Sequence, residues 1–313
     1  MKKLQHVIIS CLVIVVAGVY FYQHRGELVI FKNIGAADIF ILGTLQFLFF
    51  VVTGYTFKFL VQLLGVRLMP QETIALSLIT NFGNYLGPTS PGSVMKAVYL
   101  KSAKGLEYSK FTSVFVMNNF LGFGATGLLG CGLYFFLKAQ YAAVPVGILA
   151  YSIFLVAGVA LVLSWKMPAF QRQGKLGAIV RSAYQGFQML RAQPARLAWI
   201  CFSYVPQFVL RGVIFYYAFA ALGLPITLLL AAAMAVYSSM FDFYLTPNNL
   251  GIQEGLTGYL FLLGGFDFSQ GVVAAALVRA VHFVMTMGLA PVFIHFLLRS
   301  QNLSWQSLQR SAL

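Results

Sequence analysis

Charge is what this sequence has least of. Only 9% of its residues are Asp, Glu, Lys or Arg, where a soluble domain carries about 25%. Acid is scarcest, with 7 Asp and Glu against 21 Lys and Arg. A shortage that deep, in a chain that is 60% hydrophobic, excludes an ordinary globule facing water on all sides. Cysteine is sparse too. The 3 present, Cys11, Cys131 and Cys201, are odd in number and lie far apart inside apolar runs, so neither a disulfide framework nor a zinc ligand set is encoded. The 4 histidines, His6, His24, His282 and His295, have no metal-binding spacing. No paired-carboxylate, Ser/His/Asp or Cys/His arrangement stands out. No catalytic motif, metal or cofactor is therefore expected.

What the sequence has in quantity is apolar runs long enough to cross a bilayer. They fall at about 5–23, 37–64, 111–137, 142–165, 197–221 and 271–298. These runs do not alternate in the way of a barrel strand, so the pattern is that of an all-α, polytopic helical membrane protein. The N-terminus has a basic start and an apolar core but lacks a convincing cleavage site, and reads as an uncleaved first helix. The net charge of +14 is what cytoplasmic loops of multi-span proteins collect, so no nucleic-acid partner is expected.

The basic residues also fix an orientation. Lys2 and Lys3 place the N-terminus in the cytoplasm, and Lys58, Arg67, Lys101, Lys104, Lys110, Lys166, Arg172 and Arg299 fall on the same side. Both termini are thus expected in the cytoplasm, with the chain in the cytoplasmic (inner) membrane. A segment at about 166–196 has no acid, and Leu176, Val180, Ala183, Phe187 and Leu190 recur at helical spacing. It reads as a basic helix lying on the membrane surface. It joins two halves, about 1–165 and 197–313, of a single membrane domain.

One phrase occurs twice. Phe82–Gly92 and Phe241–Gly251 both read F-x-x-Y-L-x-P-x-x-x-G. Pro88 and Pro247 end one helix and Gly92 and Gly251 permit the turn into the next. Freed backbone groups at membrane depth must be met by protein or by a watery cavity. With the orientation above, the first break opens from the cytoplasm and the second from outside. The chain then reads as six spanning helices plus two Pro/Gly-broken segments, either re-entrant or fully crossing, in an inverted repeat. Transporters build binding sites from such discontinuous helices near mid-membrane. Each restarting helix offers a positive N-terminal end. Asn81 and Asn84 share a face with Ser77, and Asp242 shares one with Ser239 and Thr246. These stripes suit a polar groove, and equally suit helix–helix hydrogen bonding.

Ionisable residues inside apolar runs are expensive and mark function or pairing. They are Lys96 in the first break, Asp242 and Glu254 in the second, Arg211 in the fifth span, and Arg279 with His282 in the last. Glu254 is expected to pair with Arg279, and Asp242 with Arg211. The run LGFGATGLLGCG matches a dinucleotide-binding glycine pattern, but it lies inside a span with no strand before it. Tight helix packing explains it better.

With Pro88, Gly92, Lys96, Pro247, Gly251, Glu254 and Arg279 in these places, nearly the whole chain resembles the membrane domain of lysylphosphatidylglycerol synthases. Ser90 and Ser93 stand where that family usually has an arginine and an acid, Gln253 where it has an arginine, and Asn118 and Asn119 where it often has an acid–arginine pair. The resemblance implies a flippase-like protein that moves a polar-headed lipid, a phospholipid or a lipid-linked sugar, with an anionic headgroup or lipid-linked substrate as its partner. Alternatives are an enzyme or accessory subunit of lipid-linked glycan assembly, and a proton-coupled carrier of a small solute. The family's aminoacyl-transferring members carry a large soluble domain after the membrane part. This chain ends soon after the last span, so it is not expected to make an aminoacyl lipid by itself.

Overall fold

The computed structural model describes residues 31–32, 34–85, 91–164, 184–185, 188–189, 191–240 and 247–300. The first expected span, most of the basic linker, Pro88 and Asp242 lie outside the described residues.

Every regular element among the described residues is helical. Helix α1 runs Ala36–Gln62, α2 Pro70–Tyr85, α3 Pro91–Lys104, α4 Tyr108–Gln140 and α5 Val146–Ser164. Helix α6 runs Pro194–Phe202, α7 Val205–Ala221, α8 Leu228–Ser239, α9 Ile252–Leu263 and α10 Phe268–Ser300, with a 3-10 turn at Pro247–Asn249 before α9. Five stretches are long and apolar enough to cross a bilayer: Ala36–Gln62, Tyr108–Gln140, Val146–Ser164, Pro194–Ala221 and Phe268–Leu297. They match the last five spans expected from the sequence. The molecule is a polytopic helical membrane protein.

The broken segments form two helical hairpins. The arms of the first are 16 and 14 residues long, and those of the second 12 and 12. At ~1.5 Å per residue the longest arm reaches ~24 Å, short of a hydrocarbon core ~30 Å thick. The two arms of each pair fold back against each other. At the base of the first, Lys104 at the end of α3 reaches Glu72 at the start of α2, with 2.8 Å between Nζ and Oε1. Glu72 is 3% exposed and also accepts from the Met69 amide and the Tyr99 hydroxyl. At the base of the second, Gly264 lies against Leu230.

Those bases sit at opposite ends of α4. Lys101 at the first base lies over the ring of Tyr108, where α4 begins. Thr227 at the second base shares a 3.4 Å hydrogen bond with Tyr141, where α4 has just ended. Near the breaks the two hairpins meet, where the 3-10 turn of the second packs against α2 of the first. Helix α10 packs along α2, and α4 packs along α8. The helix that follows each hairpin thus supports the other hairpin.

Close approach is set by glycine. A methyl group on Gly92 would stand 1.9 Å from the Thr80 carbonyl oxygen, and one on Gly83 would stand 2.4 Å from the Cα of Gly92. The glycine-rich run of α4 works similarly, since a methyl on Gly127 would meet the Ser152 carbonyl oxygen of α5 at 2.8 Å. That run is a packing surface, as its spacing implies.

The apolar interior is split in two. One core gathers Phe57, Leu60, Leu76, Leu100, Val114 and Leu297, among others. The other gathers Leu42, Tyr134, Phe219, Met234, Phe261 and Val281, among others. Helices α1, α4 and α10 contribute one end to each core. Between the cores, near Gln46–Thr53, Asn118–Thr126 and Arg279–His282, these helices carry polar residues, and all three stretches border a cavity.

Candidate functional site

The cavity has a volume of about 290 Å³ and lies between the two hairpin tips. Of the residues singled out in the sequence, Lys96, Asn81, Asn84, Arg211 and Arg279 line it. Gly92 lies just behind the lining, where it lets α3 seat against α2. Gly251 is the cap residue of α9, with φ 85°. Pro247 opens the 3-10 turn. Glu254 is buried beside the cavity but does not line it. Pro88 and Asp242 are outside the described residues, so the Asp242–Arg211 pairing falls there too.

The second tip shows why its sequence is written as it is. Asn248 and Asn249 take left-handed backbone angles, φ 48° and 56°. Asparagine tolerates that region better than other non-glycine residues, and glycine follows at 251. Such a turn frees carbonyls that a helix would have used. Arg279 on α10 collects them, donating through Nη1 to the Asn248 oxygen at 2.8 Å and through Nη2 to the Asn249 oxygen at 3.2 Å. It also donates to Gln253 Oε1 at 3.1 Å and pairs through Nε with Glu254. Glu254 in turn accepts from the Gly251 amide at 2.8 Å, capping α9. The expected Glu254–Arg279 pair therefore exists, and its geometry is that of a clamp on the break. A guanidinium has five donors, and these contacts use most of them.

Lys96 is differently placed. Its Nζ stands 3.8 Å from the centroid of the Phe57 ring, a cation–π contact. No acidic side chain reaches it among the described residues. Arg211 donates to Ser239 Oγ at 2.7 Å on the opposite wall. Thus Lys96, Arg211 and Arg279 are basic side chains that border the cavity, the charge of Arg279 being met by Glu254, and no carboxylate lines it among the described residues.

Neutral polar groups fill in between. Gln46 Nε2 lies 2.9 Å from His282 Nδ1. Tyr204 donates to the Asn118 carbonyl and side-chain oxygens at 2.8 and 3.0 Å. Gln207 donates to Thr56 at 2.7 Å. Buried atoms without a protein hydrogen bond among the described residues include Ser77 Oγ, Asn84 Oδ1, Thr257 Oγ1 and His282 Nε2. Sequence reasoning missed Gln46, Thr53, Tyr204, Gln207 and Thr257. Each is a polar residue in an apolar run, and that was the available signal. It also missed the Glu72–Lys104–Tyr99 cluster, which lies at the hairpin base. No group of three or more His, Cys, Asp or Glu side chains comes together among the described residues.

Fold and cavity together define a helical membrane protein with a polar, cation-bearing chamber between two broken hairpins. The sequence pattern of the lysylphosphatidylglycerol synthase TM region matches residues 7–290. The chain belongs to that family, and its function concerns membrane lipid. No curated protein and no solved structure matches it.

Proposed function

We propose that this protein moves a polar-headed lipid between the leaflets of the cytoplasmic membrane. The headgroup passes through the central cavity while the acyl chains stay in lipid. The observation that carries the reading is the cavity itself, polar and cation-lined, between two hairpin tips whose bases lie at opposite ends of α4. A charge at mid-membrane costs at least ~2.5–3.5 kcal/mol on insertion scales. Lys96 bears that cost with an aromatic ring as its neighbour, as a cation awaiting an anion would.

In this reading the chain is one membrane domain. Its halves, about 1–165 and 197–313, are related by inversion, with the basic linker on the cytoplasmic surface. The mutual support of α10 on α2 and α4 on α8 favours it. Rocking of one hairpin with its supporting helix opens the cavity to one side and then the other. Lys96 and Arg211 meet the headgroup phosphate, Asn81 and Asn84 line its path, and Arg279 with Glu254 holds the second tip in shape.

The test is reconstitution into vesicles containing a tail-labelled phospholipid, followed by a membrane-impermeant quencher. Purified protein should expose the inner-leaflet label, and Glu254→Gln protein inserted to the same level should not. Equal quenching with and without protein would overturn the proposal.

A further inference from the structure

We propose that α6 is a gate to the cavity, hinged where the spanning stretch Pro194–Ala221 breaks at Ser203–Tyr204, and that its outward swing admits a headgroup from the adjoining leaflet. That leaflet is the cytoplasmic one in the proposed orientation. The inference rests on the lipid-transport reading and supplies the route by which a headgroup reaches the cavity.

The break has a cause in the sequence. Pro206 has no N–H to return to the Phe202 carbonyl, and its ring crowds that carbonyl. Helix α6 ends at Phe202 and α7 starts at Val205. Between them the backbone tightens to three-residue hydrogen bonds, from Ser203 N to the Ile200 oxygen at 3.0 Å and from Tyr204 N to the Cys201 oxygen at 3.2 Å. Tight turns of this kind inside a helix often mark hinges. By contrast α1, which precedes the first hairpin as α7 precedes the second, runs unbroken for 27 residues.

The two sides of the break are held differently. Helix α7 packs along α8, α1 and α10. Among the described residues α6 packs chiefly against α4 and lightly against α1. Its inner residues Leu197 and Ile200 join Leu60, Leu100 and Val114 in the apolar core at the first hairpin's base. Its outer residues Trp199 and Phe202 are exposed and stack on each other, on the side that lipid would cover. An outward swing of α6 therefore parts that core beneath the cavity and leaves α7 in place.

Residues that a headgroup can reach latch the hinge. Thr56 on α1 accepts from Gln207 Nε2 at 2.7 Å and donates to the Ser203 carbonyl oxygen at 3.3 Å. Tyr204 donates to Asn118 on α4. Gln207, Tyr204 and Asn118 all line the cavity. Uncharged hydrogen bonds between membrane helices are weak. A headgroup oxygen that accepts from Tyr204 or Gln207 takes the place of a latch bond. Such a ligand binds the unlatched form better, and that difference moves the hinge.

The experiment is double electron–electron resonance on the full-length protein in phosphatidylglycerol nanodiscs. Cys11, Cys131 and Cys201 are replaced by alanine. One sample carries spin labels at Ala198→Cys on α6 and Val292→Cys on α10, the other at Val209→Cys on α7 and Val292→Cys, all exposed positions. The α6 pair should show two distances and the α7 pair one. Thr56→Val and Tyr204→Phe should each raise the share of the second distance about threefold, the weight of one interhelical hydrogen bond in a membrane. Pro206→Ala restores the missing donor. It should lose the second distance and slow leaflet crossing while its thermal midpoint holds or rises, a combination that a merely structural proline would not give. One distance in both pairs, or two in both, would overturn the hinge. Crossing by Pro206→Ala at the unmodified rate would overturn the gate. Two distances in the α6 pair without any crossing by the unmodified protein would sink the transport reading and leave the hinge standing. Rapid crossing with one distance in the α6 pair would do the reverse.

Discussion

Arg279 is the residue on which the second break depends. It answers two backbone carbonyls, one side-chain amide and one carboxylate. Removing either member of its pair with Glu254 leaves a buried charge unmet, which costs about 3–5 kcal/mol. Glu254→Gln and Arg279→Gln should each lower the thermal midpoint in detergent, and the double variant should lose less than the sum. Additive losses in that cycle would show that the two do not act as a pair. Lys96 should behave in the opposite way. Its charge has no protein counter-ion among the described residues, so Lys96→Met should keep or raise stability while reducing lipid crossing. The pair was readable from the sequence because an acid and a base inside apolar runs have few partners to choose from. The clamp was not, because it answers carbonyls that are freed only once Asn248 and Asn249 adopt left-handed angles. Glu72 escaped notice because its partner Lys104 reads as an ordinary loop cation until α2 and α3 fold back together.

At the level of elements, the hairpins rest on glycine contacts. Gly92→Ala would place a methyl on the Thr80 carbonyl, and a backbone oxygen cannot swing aside, so α2 and α3 must part. Overpacking of this kind costs about 1–3 kcal/mol. Gly132→Ala on the open face of α4, where nothing lies within 4 Å, should instead stabilise by up to about 1 kcal/mol. Unfolding midpoints of the two variants check the contrast, and similar shifts would contradict it. The five spans among the described residues were legible to within a few residues, since length and hydropathy are local properties. So were the restart points. Gly92 and Gly251 were expected to open the new helices, and α3 and α9 begin at Pro91 and Ile252. What stayed open was whether each broken pair crosses or returns. The described arms are short, and their length depends on where α8 stops at Ser239, in a run with no helix breaker at that point.

At the scale of the whole molecule, two apolar cores enclose a polar middle. This arrangement is hard to see in a sequence, because each spanning helix is read as uniformly greasy while its centre carries one or two polar residues. The orientation proposed from the basic residues can be tested by labelling. In a variant with Cys11, Cys131 and Cys201 replaced by alanine, a cysteine at Ala142 should react with an impermeant maleimide added outside. A cysteine at Lys101 should react only after the membrane is opened. The reverse pattern would contradict the proposed orientation. The measurement that bears most directly on the account is leaflet crossing of phosphatidylglycerol in vesicles, comparing unmodified protein with Lys96→Met at equal insertion. The account predicts rapid crossing that the substitution slows by about tenfold or more, the loss expected from one charge-assisted contact. Crossing at the same rate in both proteins would contradict the claim that the headgroup travels through this cavity.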